Sequence, residues 1–315
     1  MSEEAHRAFA CFGGTATVHV RGDGRADNEE AADRARRRLL DAHDRLSRFL
    51  EDSELTLLNR DPHRVVPASP LLRQLAATVR RAGMLSGGLV DATLLHELEG
   101  AGYRNSMDGV EGPSISRSLG GAGRRPARPH PAQRWREIHV DEAAGTIARP
   151  PGLAIDSGGI AKGLVADLIA AELEDRRTYA VDCCGDIRIG GTAGLKRPVL
   201  VGDPFGGDPI HELSLSDGAI ATTGIGRRRW IGPDGEAAHH LLDPWSGKPA
   251  FTGIAQATAI APSGVLAEVY AKAALLSGPA GAAAWLPHGG VIVDDGGTVE
   301  LVEAGRPLPE AVAAP

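Results

Sequence analysis

The sequence is short of cysteine, of positive charge and of long apolar runs. Its 315 residues include three cysteines, Cys11, Cys183 and Cys184, which are too few for a disulfide framework. No run approaches the roughly 20 apolar residues that cross a bilayer, and the opening MSEEAHRAFACFGG lacks the apolar core of a secretory signal. The net charge of −7 argues against an electrostatic grip on nucleic acid or on an anionic membrane. We therefore expect a cytoplasmic protein with reduced thiols, without membrane insertion and without a nucleic-acid partner.

Apolar residues make up 42% of the chain and recur at helix and strand spacing. Helices are predicted over residues 28–50, 70–85, 157–175, 263–277 and 279–286. Strands are predicted in the stretches TATVHVRG, REIHV, GTIAR, TYAVDCCGDIRIGG, RPVLVGD and GVIVDDGGTVELV. This mixture, without an internal repeat, predicts an α+β fold.

Two segments lack such a pattern. Residues 105–133 are rich in Gly, Pro, Ser and Arg, which predicts an exposed, mobile loop. Residues 305–315 are predicted to be a disordered C-terminal tail.

The stretch AIDSGGIAKGLVAD, residues 154–167, is typical of a buried strand that runs through a glycine turn into a helix. Backbone N–H groups at the start of a helix carry partial positive charge, and Lys162 adds a full charge. Together with the close approach that Gly159 allows, this arrangement suits a phosphate. Neither the GxxxxGK[ST] nor the GxGxxG spacing of common nucleotide-binding loops is present. A plain glycine-rich turn with a solvated lysine explains the residues equally well, so both interpretations stay open.

A second stretch, HHLLDPWSGKPA, places His240 three residues before Asp243. A histidine whose ring is oriented by a carboxylate is a candidate general base, because its pKa lies near neutrality. The alternatives are a surface histidine and an ordinary DPxxG turn. In AIATTG, Thr222 and Thr223 are either short donors to a ligand or part of a structural turn.

Taken in order, these stretches resemble the ApbE-type FAD:protein FMN transferase family. GGTATVHV is similar to the family's opening strand, LSRFLEDSELTLLNR to its Ser-x-aromatic segment, and GGLVDATLLHELEGAGY to its Gly-x-Phe-Asp-x-Thr segment. DSGGIAKGLVAD, CCGDIRIGG, VGDPF, AIATTG and HHLLDPWSGKPA follow in the family's order. The resemblance implies a T-fold-like α+β architecture in one large domain over residues 1–304. It also implies the reaction, in which FMN moves from FAD onto a Ser or Thr hydroxyl of an acceptor protein and AMP is released.

The same resemblance gives roles to individual residues. Lys162 and the glycine turn hold the pyrophosphate, and His240, with Asp243 beside it, takes the proton of the acceptor hydroxyl. The residues implied for FAD binding are Phe49, Asp91, Ala92, Thr93, Asp156, Gly159, Lys162, Val165, Thr222 and Thr223. Two alternatives stand beside transfer: a flavin-binding protein without activity, and hydrolysis of FAD to FMN and AMP.

The chain departs from the family pattern at the implied metal site. The resemblance implies a Mg²⁺ ion held by the backbone carbonyl of Ala161 and by an Asp and a Thr four residues apart on a late helix. Here Glu268 replaces the Asp and Lys272 replaces the Thr. Glu268 remains a candidate ligand, but a charged Lys272 does not, and the two side chains are spaced for an i,i+4 ion pair. Either the ammonium takes the place of the cation, or the pair is a solvated one without a catalytic role.

Overall fold

The computed structural model of the chain describes residues 3–107, 110, 112–115, 119 and 123–309. Within them the α-helices are α1 (Arg25–Leu46), α2 (Glu54–Arg60), α3 (Pro70–Leu85), α4 (Leu95–Gly100), α5 (Ala161–Ala171), α6 (Gly264–Ser277) and α7 (Pro279–Ala282). The strands are β1 (Ala5–Cys11), β2 (Gly14–Arg21), β3 (Val65–Pro67), β4 (His139–Asp141), β5 (Thr146–Ala148), β6 (Thr178–Cys183), β7 (Asp186–Gly190), β8 (Arg197–Val201), β9 (His211–Leu215), β10 (Gly218–Gly224), β11 (Arg229–Ile231), β12 (Ala237–His239), β13 (Leu242–Asp243), β14 (Lys248–Pro249), β15 (Ile254–Ala261), β16 (Gly290–Asp294) and β17 (Val299–Val302). Short 3-10 turns span Arg134–Glu137, Ser157–Gly159 and Ala283–Trp285.

One antiparallel sheet of eight strands organises the described residues. Its order is β1-β2-β6-β7-β10-β15-β16-β17, and every neighbouring pair is antiparallel. In β2, Ala16, Val18 and Val20 are fully buried while the residues between them are partly exposed, as expected of a sheet covered on one face. Helix α1 packs on β1 and β2, α5 on β6 and β7, and α6 on β10 and β15. The predicted α+β fold is confirmed.

Helices α5 and α6 cross at a pair of glycines. A Cβ on Gly163 would lie 2.5 Å from the carbonyl oxygen of Gly264, so the approach leaves no room for a side chain. Asp167 of α5 accepts hydrogen bonds from the N–H groups of Gly264, at 2.7 Å, and Val265, at 3.1 Å. Its carboxylate thus caps the start of α6. The crossing lies one residue after Lys162 and so fixes the first turn of α5 relative to α6.

Apolar periodicity locates the main helices well. Helices α3 and α6 coincide with the predicted residues 70–85 and 263–277 to within one residue, whereas the predicted helix 157–175 is a 3-10 turn followed by α5. The prediction of a buried strand before that turn is wrong, because the backbone there is irregular. The N–H and carbonyl groups of Ile155 instead bond the side-chain amide of Asn59, at 2.8 Å each. The side chain of Asn59 thus makes the hydrogen bonds that a neighbouring strand would make in a sheet.

The predicted mobile loop over 105–133 lies partly outside the described residues. In its described part, the N–H of Arg125 donates to the carbonyl of Phe251 at 3.1 Å, and that of Ala127 donates to the carbonyl of Leu276 at 2.8 Å. Ala127 is also buried. The expectation that the whole segment is exposed is therefore wrong for this stretch, since backbone pairing fixes it despite its polar composition.

The predicted disordered tail over 305–315 also falls partly outside the described residues, which end at residue 309. Leu308, inside them, is half-buried against the core. None of the helices in the described part of the chain has both the length and the apolar character needed to cross a bilayer.

Candidate functional site

A cavity of about 420 Å³ opens where the β1–β2 turn, the end of α1, the 157–162 segment and α6 meet. Many of the residues predicted from the sequence line it. They are Phe49, Asp91, Ala92, Asp156, Gly159, Ala161, Lys162, His240 and Lys272. The fold therefore brings together positions that the sequence holds far apart, and we take this cavity as the candidate active site.

The turn that precedes α5 is fixed from two sides. The N–H of Asp156 donates to the carbonyl of Ala92 at 2.8 Å. The hydroxyl of Ser157 donates to the carbonyl of Leu46 at 2.7 Å, at the end of α1. These bonds hold the glycine turn in place at the wall of the cavity.

Asp91 lies beside this turn and is held by Thr93. The N–H and the hydroxyl of Thr93 donate to the same carboxylate oxygen of Asp91, at 2.8 Å and 2.6 Å. Burial raises the pKa of Asp91, and the two bonds from Thr93 oppose that shift. Thr93 itself is buried and does not line the cavity. It positions Asp91 rather than facing a ligand.

Lys162 is one of the cations that line the site. Its Nζ lies 2.5 Å from Oδ2 of Asp186, at the start of β7, and Asp186 is 2% exposed. Burial lowers the pKa of Lys162, but the carboxylates of Asp186 and Glu268 outweigh that effect, so the net shift is upward and the ammonium is charged. Burial raises the pKa of Asp186, and Lys162 opposes this. Lys162 lies at the start of α5, as the sequence predicts, and its role in phosphate binding stays a prediction.

The two adjacent histidines lie in different surroundings. His239 is fully buried against Phe251, with ring centroids 4.7 Å apart, and burial lowers its pKa to about 3. His240 lines the cavity, and its Nδ1 has no hydrogen-bond partner in the described part of the chain. Burial, and then the nearby Arg228, hold the pKa of His240 well below its usual range. His240 is therefore neutral near pH 7, the state in which an imidazole accepts a proton.

The expectation that Asp243 orients His240 is wrong. The carboxylate of Asp243 accepts hydrogen bonds from the N–H of Arg128 at 2.8 Å, from the N–H of Trp245 at 3.3 Å and from the hydroxyl of Ser246 at 2.7 Å. The side chain folds back onto its own turn, as Asp residues commonly do. The carboxylate stabilises the Asp-Pro turn and binds the backbone at Arg128. Of the two interpretations of this stretch, the ordinary DPxxG turn is therefore the one that the structure supports.

Three other predicted ligands are not among the residues that line the cavity. Val165 is buried in α5. Thr222 lies in β10, where its hydroxyl bonds that of its cross-strand partner Thr258 at 2.9 Å. Thr223, next to it, is also buried. Their polar and apolar groups serve packing and strand pairing.

Arg48 lines the cavity but escapes prediction from the sequence. Its guanidinium lies 4.2 Å from the ring centroid of Phe49 and 4.6 Å from that of Tyr103. Its Nε is 3.2 Å from Oδ1 of Asp156, and its side chain is 6% exposed. An arginine that is both stacked and ion-paired in this way is well fixed. The side chain joins an aromatic pair to the carboxylate at the glycine turn.

A second arginine, Arg228, lies at the rim of the cavity with Phe12. The guanidinium of Arg228 donates to the carbonyl of Phe12 at 3.2 Å. Both residues have left-handed backbones, with φ of 51° and 46°, a conformation uncommon outside glycine. The N–H of Phe12 also donates to Nδ1 of His43 at 3.3 Å. These contacts compensate for strain at the rim, and strained backbone of this kind clusters at functional sites.

Comparison with known proteins decides the family, because the family model of ApbE matches residues 12–293. The chain belongs to the ApbE family. It is 25% identical over 293 residues to the FAD:protein FMN transferase of Vibrio cholerae, covering 88% of this chain and 82% of that one. It is 31% identical over 121 residues to the protein of that name from Klebsiella pneumoniae, a match that covers 37% of each chain. The crystal structure of the ApbE protein of Thermotoga maritima superposes with a TM-score of 0.78 at 26% identity, covering 96% of this chain and 97% of that one.

On the late helix α6, Lys272 stands at the position where the resemblance implies a metal-ligating Thr. The Nζ of Lys272 lies 3.1 Å from Oε1 of Glu268, which confirms the predicted ion pair. Oε2 of Glu268 accepts the N–H of Gly163, also at 3.1 Å. Burial would raise the pKa of Glu268, but Lys272 and Lys162 outweigh it and lower the pKa. Among the described residues, no three His, Cys, Asp or Glu side chains are grouped to hold a metal ion.

Proposed function

We propose that this ApbE family member is an FAD:protein FMN transferase, which moves FMN from FAD to a Ser or Thr hydroxyl of an acceptor protein. One observation carries the proposal: a neutral His240 and a charged Lys162 line the same cavity, beside an aromatic surface formed by Phe49 and Tyr103. The relatives from Vibrio cholerae and Klebsiella pneumoniae, both FAD:protein FMN transferases, support it.

FAD fits the distribution of charge and aromatic surface in the cavity. Phe49, which is 37% exposed, offers a flat ring for a heterocycle, and the buried Tyr103 supports it with ring centroids 5.7 Å apart. Lys162 and Arg228 supply positive charge for the pyrophosphate. Asp91, Ala92 and the glycine turn at residues 156–159 form one wall of the cavity. This wall binds the polar groups of FAD.

The chemistry requires one proton acceptor and stabilisation of phosphate charge. The acceptor hydroxyl attacks the phosphorus on the riboflavin side of the pyrophosphate and gives its proton to His240. The bond from that phosphorus to the bridging oxygen breaks, AMP leaves with the electron pair, and FMN stays on the acceptor as a phosphoester. Lys162 stabilises the charge that develops on the phosphate oxygens. Phosphoryl transfers of this type depend mainly on positioning and charge neutralisation.

The resemblance also implies Mg²⁺, but the residues present do not fit that ion. Magnesium needs near-octahedral oxygen ligands, and here the Glu268 carboxylate bonds an ammonium and a backbone N–H. Ala161 lies on the cavity wall as the first residue of α5, and its carbonyl alone would supply only one of the oxygen ligands that Mg²⁺ needs. No step of the proposed reaction uses a metal.

We further propose that the protein acts in the cytoplasm on an intracellular acceptor flavoprotein. Its cysteines are free thiols, and burial raises the pKa of Cys11 to about 12 and that of Cys184 to about 11. Fractionation of cells that express a tagged chain tests the location, and recovery outside the cytoplasm would contradict it.

Transfer is tested by incubating the protein with FAD and a bead-bound library of Ser- and Thr-containing peptides. AMP is measured by chromatography and covalent flavin by fluorescence of washed beads. We expect AMP together with bead-bound flavin. AMP with free FMN would identify a hydrolase, and FAD retained without AMP would identify a flavin carrier.

The His240→Ala variant tests the proton acceptor. Loss of a general base lowers the rate by about 10²- to 10⁴-fold, while FAD affinity should change little. The exposed His96 provides a matched control, since His96→Ala should leave both quantities unchanged. Full transfer activity in His240→Ala would remove this residue from the mechanism.

A further inference from the structure

The lysine on α6 is built into the wall of the cavity. Lys272 lines the cavity, and its side chain is 13% exposed. Its stem crosses the glycine turn so closely that a Cβ on Gly159 would lie 3.1 Å from Cε and 3.7 Å from Nζ. A side chain at position 159 would displace the lysine. The glycine at position 159 is therefore what leaves room for the side chain of Lys272 against the turn.

The partner carboxylate is fully committed within the protein. Glu268 is 1% exposed, with one oxygen on the Lys272 ammonium and the other on the N–H of Gly163. Because α5 and α6 cross at Gly163 and Gly264, neither helix can move apart from the other without disturbing this bond. The carboxylate thus fixes the ammonium in one place.

Both lysines that line the cavity already have a carboxylate partner in the protein. Lys162 pairs with Asp186, and Lys272 pairs with Glu268. A divalent cation added beside these two pairs would face two ammonium groups, and no carboxylate in them is free of a cation. An ammonium cannot be a metal ligand, whereas its three N–H donors suit phosphate oxygens as well as the one carboxylate.

We propose that Lys272 is a permanent, covalently attached replacement for a divalent cation in this site, held by Glu268. The pyrophosphate of FAD then accepts hydrogen bonds from the N–H donors that Lys162 and Lys272 keep beyond their carboxylate partners, and the protein binds FAD without any metal. The identity of the phosphate ligand rests on the proposed function, whereas the exclusion of the metal does not.

Binding of Mn²⁺ to the protein alone, followed by electron paramagnetic resonance, tests the metal exclusion without FAD or turnover. We expect no stoichiometric binding to the wild-type chain. Glu268→Asp combined with Lys272→Thr should gain one Mn²⁺ that Mg²⁺ displaces. One equivalent of displaceable Mn²⁺ bound to the wild-type chain would overturn the proposal, and that measurement needs no variant to fold.

Titration of FAD by fluorescence quenching, in EDTA and in Mg²⁺, tests the role of the ammonium. The wild-type Kd should be the same in both, and Lys272→Gln should weaken binding by about tenfold or more in EDTA, because a charged hydrogen bond is lost. Lys248→Gln changes an exposed lysine and serves as the matched control. FAD binding that EDTA abolishes and Mg²⁺ restores would refute the inference. Absence of FAD binding under every condition would instead refute the proposed function, and the Mn²⁺ result would still stand.

Discussion

The Gly163→Ala variant asks whether the crossing of α5 and α6 sets the geometry of the site. A Cβ at this position would lie 2.5 Å from the carbonyl oxygen of Gly264 and 2.9 Å from the backbone nitrogen of Val265, whereas ordinary contacts begin near 3.4 Å. Both contacting atoms belong to the backbone, so no side-chain rotation relieves the overlap. The helices must separate by about 0.9 Å at this point.

Overpacking of this kind lowers the free energy of unfolding by about 1–3 kcal/mol. The better helix propensity of alanine offsets up to about 1 kcal/mol of that loss. The same displacement shifts Lys162 relative to Glu268, and misplacement on the order of 1 Å lowers a transfer rate by about 10²-fold. The variant should therefore lose more activity than stability.

Urea unfolding followed by circular dichroism measures the stability, and AMP release in the presence of acceptor peptides measures the activity. The chain offers a matched control in Gly100, at the end of α4, where an added Cβ meets no heavy atom within 4 Å. Gly100→Ala should keep both stability and activity. Wild-type behaviour of Gly163→Ala in both assays would refute the idea that this crossing is tight and positions the site.

Three further predictions concern the histidines and the buried arginine. His239 has a pKa of about 3 in the folded protein against an ordinary value of 6.5, so the unfolded chain binds the proton first and the free energy of unfolding falls as the pH drops below 6.5. At pH 5 the loss is about 2 kcal/mol. The free energies of unfolding measured in urea at pH 7.5 and at pH 5 should differ by about 2 kcal/mol less in His239→Asn than in the wild-type chain. The pKa of His240 is lowered well below 6.5, so kcat/KM for transfer should stay level as the pH falls through 6.5, and an acidic limb centred there would contradict the assignment. Arg48→Met removes the ion pair to Asp156 and should raise the Kd for FAD by about tenfold, with Arg48→Lys recovering only part of the affinity because an ammonium cannot stack as a guanidinium does; equal affinity in all three proteins would exclude a role for Arg48.

Much of the fold could be predicted because helices such as α3 carry a regular apolar face and clear end signals. Strand β15 could not, since four of the eight residues of its sequence IAQATAIA are alanine, which is depleted in strands, and none is aromatic. Burial between β10 and β16 overrides that weak local preference. The opposite error occurs before the glycine turn, where a strand is predicted but absent. There the side chain of Asn59, far away in the sequence, makes the hydrogen bonds that a neighbouring strand would make.

The site was predictable where a motif places a residue at the start of an element, as it does for Lys162. The short spacing between His240 and Asp243 led to the wrong prediction that Asp243 orients the histidine. The carboxylate of Asp243 instead accepts hydrogen bonds within its own turn. Arg48 gave no local signal, because its partners Tyr103 and Asp156 are distant in the chain and meet it only in the folded protein.

The sheet order has a consequence for how the protein is made. It joins β2 to β6, pairing Thr17 with Asp182, and the cavity walls run from Phe12 to Leu276. Pairings between such distant segments require closure of long loops and form slowly. A chain emerging from the ribosome has no complete cavity until residue 276 has been synthesised, so a ligand that needs every wall of the cavity binds only after that point. A ligand that binds only the finished cavity stabilises the native state by mass action, and its occupancy reports that folding is complete.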